Sequence, residues 1–242
     1  MNYVDRRLIP ILATAAAAGA LCVGGLAQGS AAKPKCFGRT ATVVGTPGHD
    51  SIRTGPGNDV IVGLGGNDRL GGGTGNDLVC GGLGDDLIVT GRGNDKVDGG
   101  GGKDTLHAAD DNDVTLGGPG NDFVDGRRTD TGDVDKGGPG DDEILGGTLI
   151  LGGPGRDRIN GADYVNDAHI PSVIKGGPGN DQITGRTGND KILGLKGNDT
   201  LNGRSGNDHL DGGFGDDDLD GGDGTDTCVQ GPGHGMLISC EL

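Results

Sequence analysis

The chain has 242 residues, 57 of them glycine, with no tryptophan, two tyrosines, three phenylalanines and a formal net charge of −16. So few large apolar side chains exclude an ordinary close-packed globular core, and the acidic balance excludes a nucleic-acid binder built on lysine and arginine clusters. Low hydrophobicity with high charge is the composition of a disordered chain, yet a strict internal period argues for a fold that takes part of its stability from outside the polypeptide.

In chain order, residues 1–32 read as a signal peptide: Arg6 and Arg7 precede an apolar stretch over 8–27, and small residues follow. The mature chain is then expected to be secreted and to carry no membrane span. Residues 33–44 read as an N-terminal cap. A nine-residue repeat fills 45–125, starting at 45 and running nine copies without a slip; a second unbroken run fills 176–229. Residues 126–175 between them are irregular, with two good copies, "GGPGDDEIL" at 137 and "GGPGRDRIN" at 152. Residues 230–242 read as a C-terminal cap.

Position eight of the repeat is aliphatic in nearly every copy: Ile52, Ile61, Leu70, Val79, Ile88, Val97, Leu106 and Val124, later Ile144, Ile159, Ile183, Ile192, Leu201, Leu210 and Leu219, with Thr115 the exception. Its neighbours are mostly polar or small. Alternate side chains of a strand face opposite ways, so each repeat ends in a short strand with one inward aliphatic. Glycine at position four marks a turn with positive φ or a tight approach, and the asparagines at position five (Asn58, Asn76, Asn94) read as turn formers. No segment after residue 32 has a 3.6-residue apolar period. The predicted fold is all-β, a parallel β-roll or β-helix solenoid with two repeats per coil and capped ends.

Position six is aspartate throughout. It is Asp50, Asp59, Asp68, Asp77, Asp86, Asp95, Asp104, Asp113 and Asp122 in the first run, Asp142 and Asp157 in the middle, and Asp181, Asp190, Asp199, Asp208, Asp217 and Asp226 in the second. With two repeats per coil, residues 18 apart stack at a strand spacing of about 4.8 Å. Asp59, Asp77 and Asp95 form one column, and Asp50, Asp68, Asp86 and Asp104 another on the opposite edge. Carboxylates held that closely repel. A hard divalent cation between coils reverses the sign, and Ca²⁺ accepts six to eight oxygens from carboxylates and carbonyls; an all-oxygen donor set disfavours zinc and copper. Pairs along the columns give about ten ions. A third acidic group, Asp130, Asp133 and Asp135 within "DGRRTDTGDVDKGG", lacks EF-hand spacing and reads as a solvated bulge.

The pattern Gly-Gly-x-Gly-x-Asp followed by three residues with a central aliphatic resembles the RTX-type calcium-binding nonapeptide repeat over about residues 45–229. The resemblance implies that the position-six aspartates ligate Ca²⁺ between neighbouring coils and that turn carbonyls complete the shell, with Asp113 the weakest member because its repeat has lost its glycines. Many RTX proteins carry a toxin or protease domain ahead of the repeats. Here the repeats follow the leader directly, and the chain looks more like small repeat-only calcium-binding proteins exported by Gram-positive bacteria.

There is no HExxH or GxSxG motif, and His49, His107, His169, His209 and His234 fall at unrelated repeat positions, as surface residues do. The expected function is therefore a non-enzymatic, calcium-binding structural or surface-associated protein whose protein or glycan partner the sequence does not name. An extracellular polysaccharide-acting enzyme needs an aromatic-lined cleft, which this composition disfavours; an ice-binding or adhesive array needs one repeated outward residue, which position three does not supply. Four cysteines follow the leader, an even number in an exported chain. Cys228 and Cys240 are expected to fix a tail over the last coil, and Cys36 and Cys80 to pair by elimination, against the alternative of four reduced thiols.

Overall fold

The computed structural model describes residues 32–126, 132–161 and 171–241. The predicted leader therefore lies outside the described residues except for Ala32, as do His169 and Asp130. Among the described residues there is no helix, and none is long and apolar enough to cross a membrane.

The chain winds as a parallel β-solenoid, as the nine-residue period requires. Two eleven-stranded parallel sheets face each other, and successive strands alternate between them. The first sheet begins with Val43–Val44, Val60–Gly65 and Leu78–Leu83; the second begins with Ser51–Arg53, Arg69–Gly71 and Leu87–Val89. The register is that of residues 18 apart: in the first sheet Ile61 pairs with Val79 and Val79 with Val97, and in the second Leu70 pairs with Ile88. The inward position-eight residues of both sheets make one core, with Ile61, Ile88, Leu106, Ile144, Ile159, Ile183, Ile192, Leu201 and Leu210 sealed from solvent. At about 1.5–3 kcal/mol per buried aliphatic, one per strand is a thin core for a chain that orders each residue at about 1–2 kcal/mol of backbone entropy.

The irregular middle is irregular on one side only. Coils there span 20, 15 and 24 residues instead of 18. The turns from the first sheet to the second keep the nine-residue form, which is why "GGPGDDEIL" and "GGPGRDRIN" survive at odd spacing. All changes in length fall on the turns from the second sheet back to the first. Within this stretch Asp135 takes the inward position between Thr115 and Ile150 and is fully buried, and Asp133 is buried beside it. The solvated-bulge reading of Asp133 and Asp135 is thereby corrected: the strand Val134–Lys136 continues the sheet, so its flanking carboxylates are drawn into the stack.

Both ends differ from simple lids. Residues Lys35–Cys36 and Arg39–Thr40 form an antiparallel hairpin that lies against the outward face of the first sheet, where Cys36 and Ala41 pack on Val60, Val62 and Leu78. Cys36 is bonded to Cys80 and Cys228 to Cys240, each with Cα atoms 5.7 Å apart. The C-terminal tail adds Leu237–Ile238 to the second sheet as its last strand, and Leu237 remains 42% exposed, so the tail extends the stack instead of covering it. In this core Ile144→Ala is expected to lower the unfolding free energy by about 2–5 kcal/mol, and Thr200→Ala, on the exposed outer face, by less than about 0.5 kcal/mol. Denaturant titration of the two variants checks the difference.

Candidate metal-binding edges

Each turn ends in the position-six aspartate, one residue before the strand that fixes it. On one edge the column runs Asp50, Asp68, Asp86, Asp104, Asp122, Asp142, Asp157, Asp181, Asp199 and Asp217 without a gap. Each backbone N–H donates to the next coil's Oδ1, at 2.8 Å from Asp50 to Asp68 and 2.9 Å from Asp199 to Asp217. The other edge carries Asp59, Asp77, Asp95, Asp113 and Asp133 in the same ladder, and resumes with Ser172, Asp190, Asp208 and Asp226. All seventeen predicted aspartates thus fall into the two columns. Asp113 keeps its place although its repeat lacks the glycines.

Asp133 is a member that nine-residue counting misses. It lies 20 residues after Asp113, the same stretch that separates Asp122 from Asp142; that shared offset was the available signal. Glu241 closes the second column by accepting from the Asp226 N–H. The position-five asparagines do more than shape their own turns. The Asn76 N–H donates to Asn58 Oδ1 at 2.7 Å and the Asn94 N–H to Asn76 Oδ1 at 2.9 Å, a second ladder between coils.

The other carboxylate oxygen is treated differently. Oδ2 of Asp68, Asp86, Asp104, Asp122, Asp142, Asp157, Asp181, Asp199 and Asp217 is buried with no hydrogen-bond partner, and so is Oδ2 of Asp77, Asp95, Asp113, Asp190, Asp208 and Asp226. A buried charged oxygen without a partner is a substantial destabilisation. These atoms converge on the position-one glycines and on carbonyl oxygens of the next coil. The point where a Cβ would stand on Gly99 lies 2.5 Å from Asp104 Oδ2 and 2.6 Å from the Gly117 carbonyl oxygen; at Gly117 the corresponding distances are 2.5 Å to Asp122 Oδ2 and 2.5 Å to Gly137 O. A Cβ has no room at these positions, and the oxygens gathered there, a carboxylate Oδ2 without a partner and a backbone carbonyl, are the donor types that a hard cation such as Ca²⁺ takes.

Burial raises the carboxyl pKa values first, and neighbouring aspartates add to it, against a lowering by the backbone N–H. Asp86 is pushed up to about 6, Asp104, Asp142, Asp157 and Asp199 to about 7, and Asp113 to about 8.

This geometry accords with the family comparison. The RTX calcium-binding nonapeptide repeat model matches the chain in four copies, over residues 44–79, 81–115, 173–201 and 193–228, which together span just over half its length. The chain belongs to the RTX calcium-binding repeat family. Comparison with curated proteins gave no match. As an RTX repeat protein it binds calcium, and the all-parallel β-roll it forms is the expected fold.

The pKa directions predict how the calcium-free chain responds to acid. A carboxyl whose folded pKa lies above its unfolded value of 3.8 binds its proton more tightly when folded. Its contribution favours the fold at low pH and is lost as pH rises through the folded pKa. Without calcium, strand content is therefore expected to rise as pH falls from 8 towards 5, and calcium affinity to weaken over the same interval because protons and cation compete. Circular dichroism in chelator and calcium titration at each pH measure both.

Proposed function

We propose that this RTX repeat protein is a secreted, non-enzymatic calcium-binding protein that folds when calcium binds and serves a structural or surface-associated role. One observation carries the reading: file after file of buried aspartate Oδ2 atoms lacks any partner in the protein itself, so the folded state is incomplete without a cation. The aspartates and position-one glycine carbonyls are the groups that would hold it. Bound calcium supplies the positive charge that turns stacked carboxylates from repelling to bridging.

The backbone ladders hold Oδ1 and thereby fix the direction of Oδ2, so each carboxylate is oriented by the strand that follows it. Secretion is supported by the leader-like sequence at 1–32 and by the Cys36–Cys80 and Cys228–Cys240 bridges, which suit an oxidising compartment. A non-enzymatic role is supported by the use of the acidic residues themselves, which are committed to inter-coil ladders instead of converging in a cleft. A loading near ten ions follows from the columns, with affinity in the range of extracellular calcium modules, about 10⁻⁴–10⁻³ M.

Metal binding here contributes folding free energy. In chelator at pH 7.5 the mature chain is expected to give a disordered circular dichroism spectrum, and in millimolar calcium the spectrum of a β-solenoid, with magnesium at the same concentration ineffective. A full strand spectrum in chelator at that pH would overturn the reading.

A further inference from the structure

The two edges are not equivalent. Glycine recurs at positions one and four of the repeat, but for different reasons. At position four it has positive φ, as at Gly75 (φ 121) and Gly84 (φ 117). The position-one glycines such as Gly63, Gly81, Gly99 and Gly117 have no such conformation; a Cβ there would stand within 2.6 Å of both an aspartate Oδ2 and the next coil's carbonyl, so glycine is what lets those two oxygens come together. Stacking alone does not demand glycine there. Thr54, Thr90 and Ala108 occupy position one of their repeats, and the strands around them keep the regular register.

On the first edge position one is glycine in every coil from Gly63 to Gly194, and each has the matching pair of oxygens: Oδ2 of the aspartate five residues on and the carbonyl of the next position-one glycine. At the start of this edge Asp50 Oδ2 accepts from the Thr46 hydroxyl at 2.9 Å as well as from the Thr46 N–H, so that turn is satisfied internally. The second edge is broken. The Thr54 hydroxyl donates to the Gly72 carbonyl, and the Thr90 hydroxyl stands beside the Asp95 carboxylate. Ala108 is buried with its methyl at the position-one site of the Asp113 turn. Next along, the Asp135 carboxylate lies against Gly126, and Ser172 takes the column position that an aspartate holds elsewhere. Glycine holds position one at Gly72, against the Asp77 Oδ2, and again at Gly185, Gly203 and Gly221, which pair an aspartate Oδ2 with a carbonyl of the next coil, from Gly203, Gly221 and Ser239 respectively.

We propose that calcium loads this chain unequally, as one continuous file along the first edge from the Gly63–Asp68 turn to the Gly194–Asp199 turn, and on the second edge at the glycine turns of Asp77, Asp190, Asp208 and Asp226 but not at the Asp95 and Asp113 turns, where Thr90 and Ala108 put a side chain at position one. This rests on the calcium reading above and adds which aspartates are ligands. The N-terminal half therefore takes more cations along the first edge than along the second.

The test is calcium stoichiometry of the full mature chain with its disulfides intact, measured by equilibrium dialysis and native mass spectrometry. Ala108→Gly and Thr90→Gly are each expected to gain one ion, and Gly99→Ala, whose methyl displaces the Asp104 Oδ2 and the Gly117 carbonyl, to lose one. Asp104→Asn should lower the count, whereas Asp113→Asn should leave it unchanged. If the opening variants bind no additional ion, or if Asp113→Asn loses an ion as Asp104→Asn does, the unequal loading is wrong. Should Gly99→Ala not fold, Ala108→Gly and Asp113→Asn decide, since the first only removes a methyl and the second is isosteric. Absence of calcium binding by the unaltered chain would sink the calcium reading itself, a distinct outcome.

Discussion

Carboxylates stacked one strand spacing apart, out of water, are the constraint on which this molecule turns. The stack is cheap in apolar material: one aliphatic per strand, almost no aromatic residues, and turns made largely of glycine. What it repeats most faithfully is instead the least favourable group to bury. Inside the stack an aspartate such as Asp86 or Asp95 gives one oxygen to a backbone N–H of the preceding coil, which holds the coils in register, and keeps the other turned into the turn without a partner. The first oxygen builds the solenoid. In the function proposed above the second makes it conditional, so that one residue type encodes both the architecture and its dependence on a cation.

The second edge carries carboxyl groups with strong upward shifts. Asp135 lies in the core with Thr115 on the adjoining strand, and burial followed by the Asp133 charge pushes its carboxyl up to about 7. Asp113, behind Ala108, is pushed up to about 8, again by burial first and then by Asp95, Asp133 and Asp135. In both, burial and neighbouring carboxylates favour the protonated form. The second edge, which carries them, also absorbs every change in coil length. An edge tied together by hydroxyls and protons tolerates turns of variable length, because no fixed set of oxygens has to be presented around an ion. The first edge tolerates none.

Much of this was legible in the residues. A strict period of nine with one aliphatic and one aspartate per copy leaves little freedom: the strand, its inward residue, the pairing 18 apart and both aspartate columns follow from it. Asn76 and Asn94 were harder to place, because an asparagine that shapes its own turn and one that accepts from the next coil look alike in sequence. Asp133 was hidden for another reason. Insertions on one edge shift the count, so its membership shows only against the other edge, where Asp122 and Asp142 are offset by the same 20 residues. The hairpin at Cys36 defeated a one-dimensional reading altogether. In sequence it precedes the first coil and suggests a lid, but Val60, Val62 and Leu78 are outward residues that are unusually apolar, and that side-facing patch is what it covers.

The two ends of a solenoid pose the same problem and are solved differently. At the N-terminus a disulfide from Cys36 reaches two coils in, to Cys80, so the hairpin ties the first strands of one sheet together from outside. At the C-terminus the tail imitates another coil. Leu237 takes the inward column after Leu219, Glu241 accepts from the Asp226 N–H as the next aspartate would, and the Ser239 carbonyl stands where the next glycine carbonyl would be. Cys228, in the inward position after Leu210, is bonded to Cys240 and holds this imitation in place. A glutamate reaches farther than an aspartate and needs no following strand to carry it, which suits a position where the strand order ends. The last coil thus keeps its ladder partner and its carbonyl without a further repeat, so the second-edge turn at Asp226 has the same oxygens as those at Asp190 and Asp208 inside the stack.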